Sequence, residues 1–235
     1  MFNRATTSRS RQRLSLVTSK PWSRNRTESA GLEIRQVRSN EQKEDLYRFR
    51  RAVCVADSSR HQLHADQRLK RCKDDLDADG VNLIAMRQTR LLGAIRVNFA
   101  STSDLGIFAD FYRMREFAGS DHPARTCIVS RLAVDPTLRS ATVSHHLCVA
   151  AYKHALDAGK RMAFLSANDD FIYYYSALGF KSYMGRSLHR EDGQVLPMKL
   201  DLLDEKYLML IGSPLLPTLR AWKQSRQPSV EIRPA

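Results

Sequence analysis

An α+β (mixed α/β) fold, with one central mixed β-sheet flanked by helices, is what this sequence predicts. Apolar and polar residues alternate over 32–37, and apolar, β-branched runs recur at 81–86, 91–99, 126–134 and 162–166, the signature of strands. Between the last two runs, Val143, Leu147, Ala150, Ala151 and Ala155 fall on one helical stripe. A strand–helix–strand crossover then sets 126–134 and 162–166 parallel in one sheet. The 235 residues suit one domain with tails. At 43% hydrophobic and 27% charged they exclude a fibre, a wholly disordered chain and a polytopic membrane protein, and no run of about 18 apolar residues is present to span a bilayer.

The elements follow in order. Residues 1–30 are poor in apolar side chains and read as a disordered basic arm. After the strand at 32–37, Ser39 or Asn40 caps a helix over 41–56 that buries Leu46, Phe49, Val53 and Ala56. Residues 57–80 are polar and basic with weak periodicity, an irregular or partly helical segment. Strands 81–86 and 91–99 form a hairpin through Gln88-Thr89, and 100–124 connect with one apolar-aromatic patch of Ile107, Phe108, Phe111, Tyr112 and Met114. Strand 126–134 stops at Asp135-Pro136, because proline cannot donate to the ladder. Helix 143–158 ends at Gly159, and a short helix over 170–178 ends at Gly179. Two last strands bracket the Asp192-Gly193 turn, the second over 195–202. The domain thus spans 31–216, and 217–235 is a basic tail.

The net charge of +13 suggests nucleic acid until it is divided along the chain. Residues 1–30 hold seven Lys/Arg against Glu28, and 217–235 hold four against Glu231, so most of the excess lies in the ends. Aromatics are not interleaved with those basic residues, so no stacking platform for bases is formed, and nucleic acid is not the expected partner. Cys54, Cys72, Cys127 and Cys148 form neither a C-x-x-C nor a His-paired set; they read as reduced core thiols of a cytoplasmic protein, with no metal site. The first residues lack an apolar signal core; their Arg- and Ser-rich composition fits an organelle transit peptide and a disordered bacterial leader equally.

Chemistry concentrates in the second half. Leu132-Ala133-Val134-Asp135-Pro136 ends a strand, and Arg139-Ser140-Ala141-Thr142-Val143-Ser144 leads into a helix. The free amides and positive dipole end of that helix make an anion site. Downstream stands Asn168, six residues, then Tyr175, with Leu178-Gly179-Phe180 behind it. The two units together resemble the GNAT superfamily of N-acyltransferases. That resemblance implies that Leu132, Val134, Arg139, Ser140, Ala141, Thr142, Val143, Ser144 and Asn168 hold the phosphopantetheine end of a thioester donor. It also implies that Tyr175, of the triplet Tyr173-Tyr174-Tyr175, sits beside the sulfur. A phenol, with pKa near ~10, can protonate a departing thiolate. Packing is the other reading of the triplet. Both central glycines of the family loop are replaced here, by Ser140 and Thr142.

Val129-Ser130-Arg131-Leu132-Ala133-Val134 narrows the family. It resembles a strand of the acyl-homoserine-lactone synthases and the N-acyl amino acid synthases. Arg50-Arg51-Ala52-Val53-Cys54-Val55, Asp75-Leu76-Asp77 and Gly93-Ala94-Ile95-Arg96 resemble further pieces of them. Val195-Leu196-Pro197-Met198, Leu200-Asp201-Leu202, Tyr207-Leu208 and Ser213-Pro214-Leu215 resemble the C-terminal part of the N-acyl amino acid synthases, of which the long-chain N-acyltyrosine synthases are the best-known members. The lactone synthases carry Glu three residues before the strand arginine, where this chain has Ile128.

Arg96 and Arg131 lie within strands, where an unpaired buried charge is costly, so each needs a partner among Asp75, Asp77 and Asp79. The same network can grip an amino-acid carboxylate bidentately. The resemblance implies direct acyl transfer at Tyr175, Arg131, Arg96, Asp77 and Ser130, with Arg50 and Asp75 toward the acceptor. A backbone amide near Leu132 polarises the carbonyl, and Asp77 orients or deprotonates the amine. The donor is acyl-phosphopantetheine, on acyl carrier protein or CoA. Loss of the loop glycines favours the carrier, because a pyrophosphate needs closer backbone approach than one phosphodiester. The expected partners are acyl carrier protein and an amino-acid acceptor, with peripheral membrane contact only through a lipid product. An acetyl-CoA-dependent N-acetyltransferase of small molecules and a non-catalytic GNAT-like binding module remain open at this point.

Overall fold

The computed structural model describes residues 30–56, 65–66, 68, 70–138, 141–189 and 193–226. The arm up to residue 29, the Asp192 side of the last turn, Arg139 and Ser140 lie outside the described residues.

Strand β1 (Leu32–Gln36) leads into helix α1 (Asn40–Ala56). Ser39 starts that helix with a reciprocal cap: its Oγ accepts from the Gln42 amide at 3.1 Å and its own amide donates to Gln42 Oε1 at 3.2 Å. The polar stretch that follows contains a two-residue ladder, β2 (Ala65–Asp66) with β3 (Arg71–Cys72), then a 3₁₀ turn over Asp75–Asp77. Strands β4 (Val81–Arg87) and β5 (Arg90–Phe99) form the hairpin through Gln88-Thr89. The connector folds into two short helices, α2 (Ile107–Phe111) and α3 (Met114–Ala118), because Tyr112 and Met114 bury themselves with Ile128 and Phe164. Strand β6 (Thr126–Val134), helix α4 (Thr142–Asp157), strand β7 (Met162–Ala167) and helix α5 (Asp169–Leu178) complete the crossover region. After it come β8 (Lys181–Ser182), β9 (Ser187–His189), β10 (Gly193–Asp201), α6 (Glu205–Leu210) and α7 (Leu216–Gln224).

The sheet runs β1-β4-β5-β6-β7-β10-β8, with β9 on β10. Its pairs are antiparallel except β6 with β7, which run parallel as the crossover requires. Side chains alternate across this sheet. Leu83, Ile95, Val97, Cys127 and Leu165 face α4 and the largest core. Ile84 and Ala94 face α1, and Ile128 and Phe164 face the 3₁₀ turn and the α2–α3 connector.

One feature differs from the sequence reading, and one that agrees with it has a structural reason. The folded body does not stop at residue 216: α7 follows, and its Leu219 is fully buried in the main core. The basic residues of this stretch lie on one side of an amphipathic helix, so 217–224 belong to the domain rather than to a tail. Gly179, which ends α5, has φ +121°, and a Cβ there would meet Leu208 Cδ2 at 2.8 Å. The position therefore combines a backbone shape that favours glycine with close contact to α6.

Candidate active site

Strands β6 and β7 pair only through Thr126–Met162, Cys127–Ala163 and Ile128–Phe164. Beyond Ile128 they part. The opening is where a ligand can reach the middle of the sheet, outside the carboxyl ends of two parallel strands. A cavity lies on each side of it. One, of about 110 Å³, is lined by Ser130, Arg131, Leu132, Ser166, Asn168 and Tyr175, with Arg96 and Asp74 behind and Phe108, Tyr112, Phe171 and His189 at its walls. The other, of about 20 Å³, is apolar and lies between β6, β7 and α4, with Cys148, Ala151, Tyr152 and Leu165 in its wall. Val129 and Tyr175 line both.

A bulge in β6 shapes the first cavity. Ala94 pairs with Ala133 and Arg96 with Ser130, so Arg131 and Leu132 together oppose Ile95. Arg131 has φ +55°, a left-handed conformation that costs a non-glycine residue about 1–3 kcal/mol. Plain alternation would send Ser130 and Arg131 to opposite faces; with the bulge, both line the same cavity.

Below them lies a buried charge network. Arg131 Nε donates to Asp74 Oδ2 at 2.8 Å, and its Nη2 reaches the same carboxylate. Arg96 Nη2 donates to Asp74 Oδ2 at 3.1 Å, its Nη1 lies 2.9 Å from Asp77 Oδ1, and its Nε donates to Ser130 Oγ at 3.2 Å. Arg50 Nη1 donates to Asp77 Oδ1 at 2.6 Å, and its Nη2 bonds Asn82 Oδ1. Asp74 and Asp77 are brought to one side by the 3₁₀ turn, where the Asp74 amide donates to Asp77 Oδ2 at 3.1 Å. Burial alone would raise both carboxyls. Arg131 and Arg96 outweigh it at Asp74, and Arg50 and Arg96 at Asp77, so both are held below the usual carboxylate range. Among the described residues three guanidiniums meet two carboxylates in this group, and Arg131, at its cavity end, is the most exposed of the three. An anionic group on a ligand is what that end suits.

The structure redistributes the residues picked out from sequence. Arg96, Arg131, Ser130, Leu132, Asn168 and Tyr175 come together at the first cavity. Asp75 is exposed and lines neither cavity; the second aspartate of the network is Asp74. Arg50 and Asp77 are fully buried behind the cavity, so Arg50 does not reach an acceptor. Asp77 is no base for the amine: two guanidiniums bind it, and it does not line the cavity. Asp79 is exposed.

The tyrosine triplet divides three ways. Tyr173 is 62% exposed, and Tyr174 is half-buried against the main core, its hydroxyl donating to Cys148 Sγ at 3.5 Å. Tyr175 is the member that reaches the cavities, its ring braced edge-on by Phe180 at 6.0 Å. Burial pushes the Cys148 thiol up to about 11, so it stays protonated against the wall of the apolar cavity.

In the helix-leading segment, Val143 points into the core and the Ser144 hydroxyl donates to the Ala141 carbonyl at 2.9 Å. Those two side chains are therefore occupied within the protein. Ala141 and Thr142 stand at the start of the sixteen-residue helix α4, whose first-turn amides have no partner within the helix. Val134 lines neither cavity. Asn168, which precedes α5, keeps Oδ1 buried and without a hydrogen-bond partner among the described residues. A buried acceptor in this condition is costly and suits a donor from water or a ligand.

Sequence reasoning missed Asp74, which stands one place before the acidic motif, and the wall of Phe108, Tyr112, Phe171 and His189. The first had a signal, an aspartate three residues before Asp77. The wall is drawn from α2 and the residue that ends it, from α5 and from β9, and no local pattern joins those segments.

Residues 49–201 match the model of a protein family described as N-acyl amino acid synthase FeeM. No curated protein sequence matches the chain. The solved structure of FeeM, an N-acyl amino acid synthase from uncultured soil microbes, is 15% identical over 80% of this chain and 97% of that one, with a TM-score of 0.61. BjaI, a CoA-dependent acyl-homoserine lactone synthase, is 18% identical over 78% and 91%, with a TM-score of 0.57. ElaA from Escherichia coli is 18% identical over 72% and 99%, with a TM-score of 0.53.

Proposed function

The chain belongs to the family of the N-acyl amino acid synthase FeeM, an acyltransferase family whose acceptor is an amine, and from that premise we propose that it joins a long acyl chain, delivered as a carrier-protein thioester, to the α-amine of an amino acid. The observation that carries this reading is the pair of cavities on opposite sides of the β6–β7 opening, with Tyr175 and Val129 common to both. A thioester and an amine that approach from the two sides meet at one carbonyl carbon.

The acceptor's carboxylate meets the Arg131 guanidinium at the cavity, while Asp74, itself held by Arg96, fixes the plane of that guanidinium. The donor enters between β6 and β7. A β6 amide near Leu132 polarises the thioester oxygen, Asn168 Oδ1 accepts an N–H of the pantetheine arm, and Tyr175 protonates the departing thiolate. The start of α4 faces the donor phosphate. The second cavity takes the first carbons of the acyl chain. At about 20 Å³ it is close to the size of one water, so a long tail enters only as Leu165, Tyr152 and their neighbours move apart.

Carrier protein is favoured over CoA as the donor because Ser140 and Thr142 stand where the related loop has glycine. A carrier also presents an acidic surface to this basic chain, a steering term that fades with salt. The test of the reaction class is untargeted. Lipid extracts of cells that express the chain are compared by mass spectrometry with cells that express Tyr175→Phe plus Arg131→Ala. New N-acyl amino acids confined to the first set are expected. Acetylated amines in their place would favour a small-molecule acetyltransferase.

A further inference from the structure

An amino acid at neutral pH carries its α-amine as an ammonium, which has no lone pair with which to attack. The proposed reaction therefore needs a group at the cavity that accepts a proton. Asp77 is excluded above. Asp74 reaches the cavity but is clamped by Arg96 and Arg131 and held below the ordinary carboxylate range, which makes it a poor base. Arginine does not give up its proton. Tyr112 donates its hydroxyl to Ser166 Oγ at 3.3 Å, and Tyr175 starts the cycle protonated.

Among the described residues that line the cavity, His189 is the one imidazole. It ends β9, opposite Gly193 of β10, so a backbone ladder fixes its position. Its ring lies 6.0 Å from that of Phe108 and 5.4 Å, edge-on, from that of Phe111, both on α2. The faces it meets from α2 are thus uncharged, and β10 adds Val195 to the cavity wall. Among the described residues the titratable and charged groups that share the cavity with it are Asp74, Arg96, Arg131, Tyr112 and Tyr175. Imidazole is the side chain suited to holding a proton briefly near neutral pH.

Resting on the acyltransferase reading, we propose that His189 is the general base that deprotonates the acceptor ammonium. One proton passes from the ammonium to the imidazole and on to water. The freed lone pair forms the C–N bond, and the C–S bond breaks. The thiolate takes the Tyr175 hydroxyl proton, and the surplus proton on the new amide nitrogen restores Tyr175. Charges and atoms balance without an oxidant, a reductant or a metal.

The test uses the purified full chain, a long-chain acyl carrier thioester and the amino acid that reacts fastest, with wild type, His189→Gln and His189→Ala followed from pH 6 to 10. At pH 7 kcat/KM is expected to fall by about 10²-fold in both variants. The deficit should shrink toward none as pH passes the amine's own pKa, and added imidazole should partly restore the Ala variant. A deficit that stays constant with pH and resists imidazole, or full activity of His189→Gln, would reduce His189 to a cavity wall and leave the acyltransferase reading intact. A wild-type chain that acylates no amine with any thioester would overturn the reading itself, and the base with it.

Discussion

Arg131 sits in a left-handed backbone conformation, on a bulge, with its guanidinium bound to Asp74 at the edge of a cavity. Strain of about 1–3 kcal/mol persists only where the surroundings fix it, and here Asp74 does so. Arg131→Ala should raise KM for the amino acid by about 10–100-fold, the range of a charge-assisted hydrogen bond, with a smaller change in kcat. An amine substrate without a carboxylate should not notice the substitution. Steady-state kinetics with both acceptors reads this; equal losses for the two would place Arg131 outside carboxylate recognition. Tyr175→Phe should instead lower kcat by about tenfold or more and leave donor binding nearly unchanged, because only thiolate departure loses its proton source. Unchanged turnover across the pH range would return Tyr175 to packing, the role that Tyr174 plays against Cys148.

At the scale of elements, strands β1, β4, β5, β6, β7 and β10 and helices α1, α4 and α5 were legible because each has a buried face, and α4 and α5 also have a written stop, whereas the two-residue strands β2, β3 and β8 were not read. Gly159 and Gly179 both adopt positive φ where their helices end. Helices α6 and α7 were not read, although Asp204 caps the first by accepting from the Tyr207 amide at 3.0 Å and proline opens the second. Each is short, so hydrophobic periodicity had little length in which to show itself. The site was legible where one strand carries it, as with Ser130 and Arg131, and illegible where tertiary contact assembles it, as with Asp74 and His189. The register of the 3₁₀ turn decided for Asp74 over Asp75, and among the acidic residues at 74, 75, 77 and 79 the spacing of Asp74 to Asp77 was the one pointer to that choice. Helix α7 also yields a prediction. Leu219→Ala should cost about 2–5 kcal/mol in urea denaturation, as for a core leucine. A cost near zero would return 217–224 to the tail.

Over the whole molecule, the buried charge network ties stability to acid. The folded-state pKa values of Asp74 and Asp77 are depressed, so the stability they contribute is present above the unfolded carboxylate value near ~3.9 and is lost as pH falls below it through the folded values. The chain should therefore lose stability steeply below about pH 4. Asp77→Asn should lower stability at pH 7 by about 3–5 kcal/mol, since Arg50 and Arg96 lose a buried partner, and should flatten the acid limb. Denaturation curves at pH 7 and pH 3 for both proteins check this, and an acid limb of unchanged slope would mean that other carboxyls control it. Among the described residues no helix is long and apolar enough to cross a membrane.

The measurement closest to the central claim is product formation by the purified chain, offered C12–C16 acyl groups on carrier protein and on CoA, and acetyl-CoA, against a panel of amino acids at low and high salt. The predicted result is an N-acyl amino acid formed fastest from the long-chain carrier thioester, with that preference weakening as salt rises. Equal or better turnover with acetyl-CoA would contradict the account.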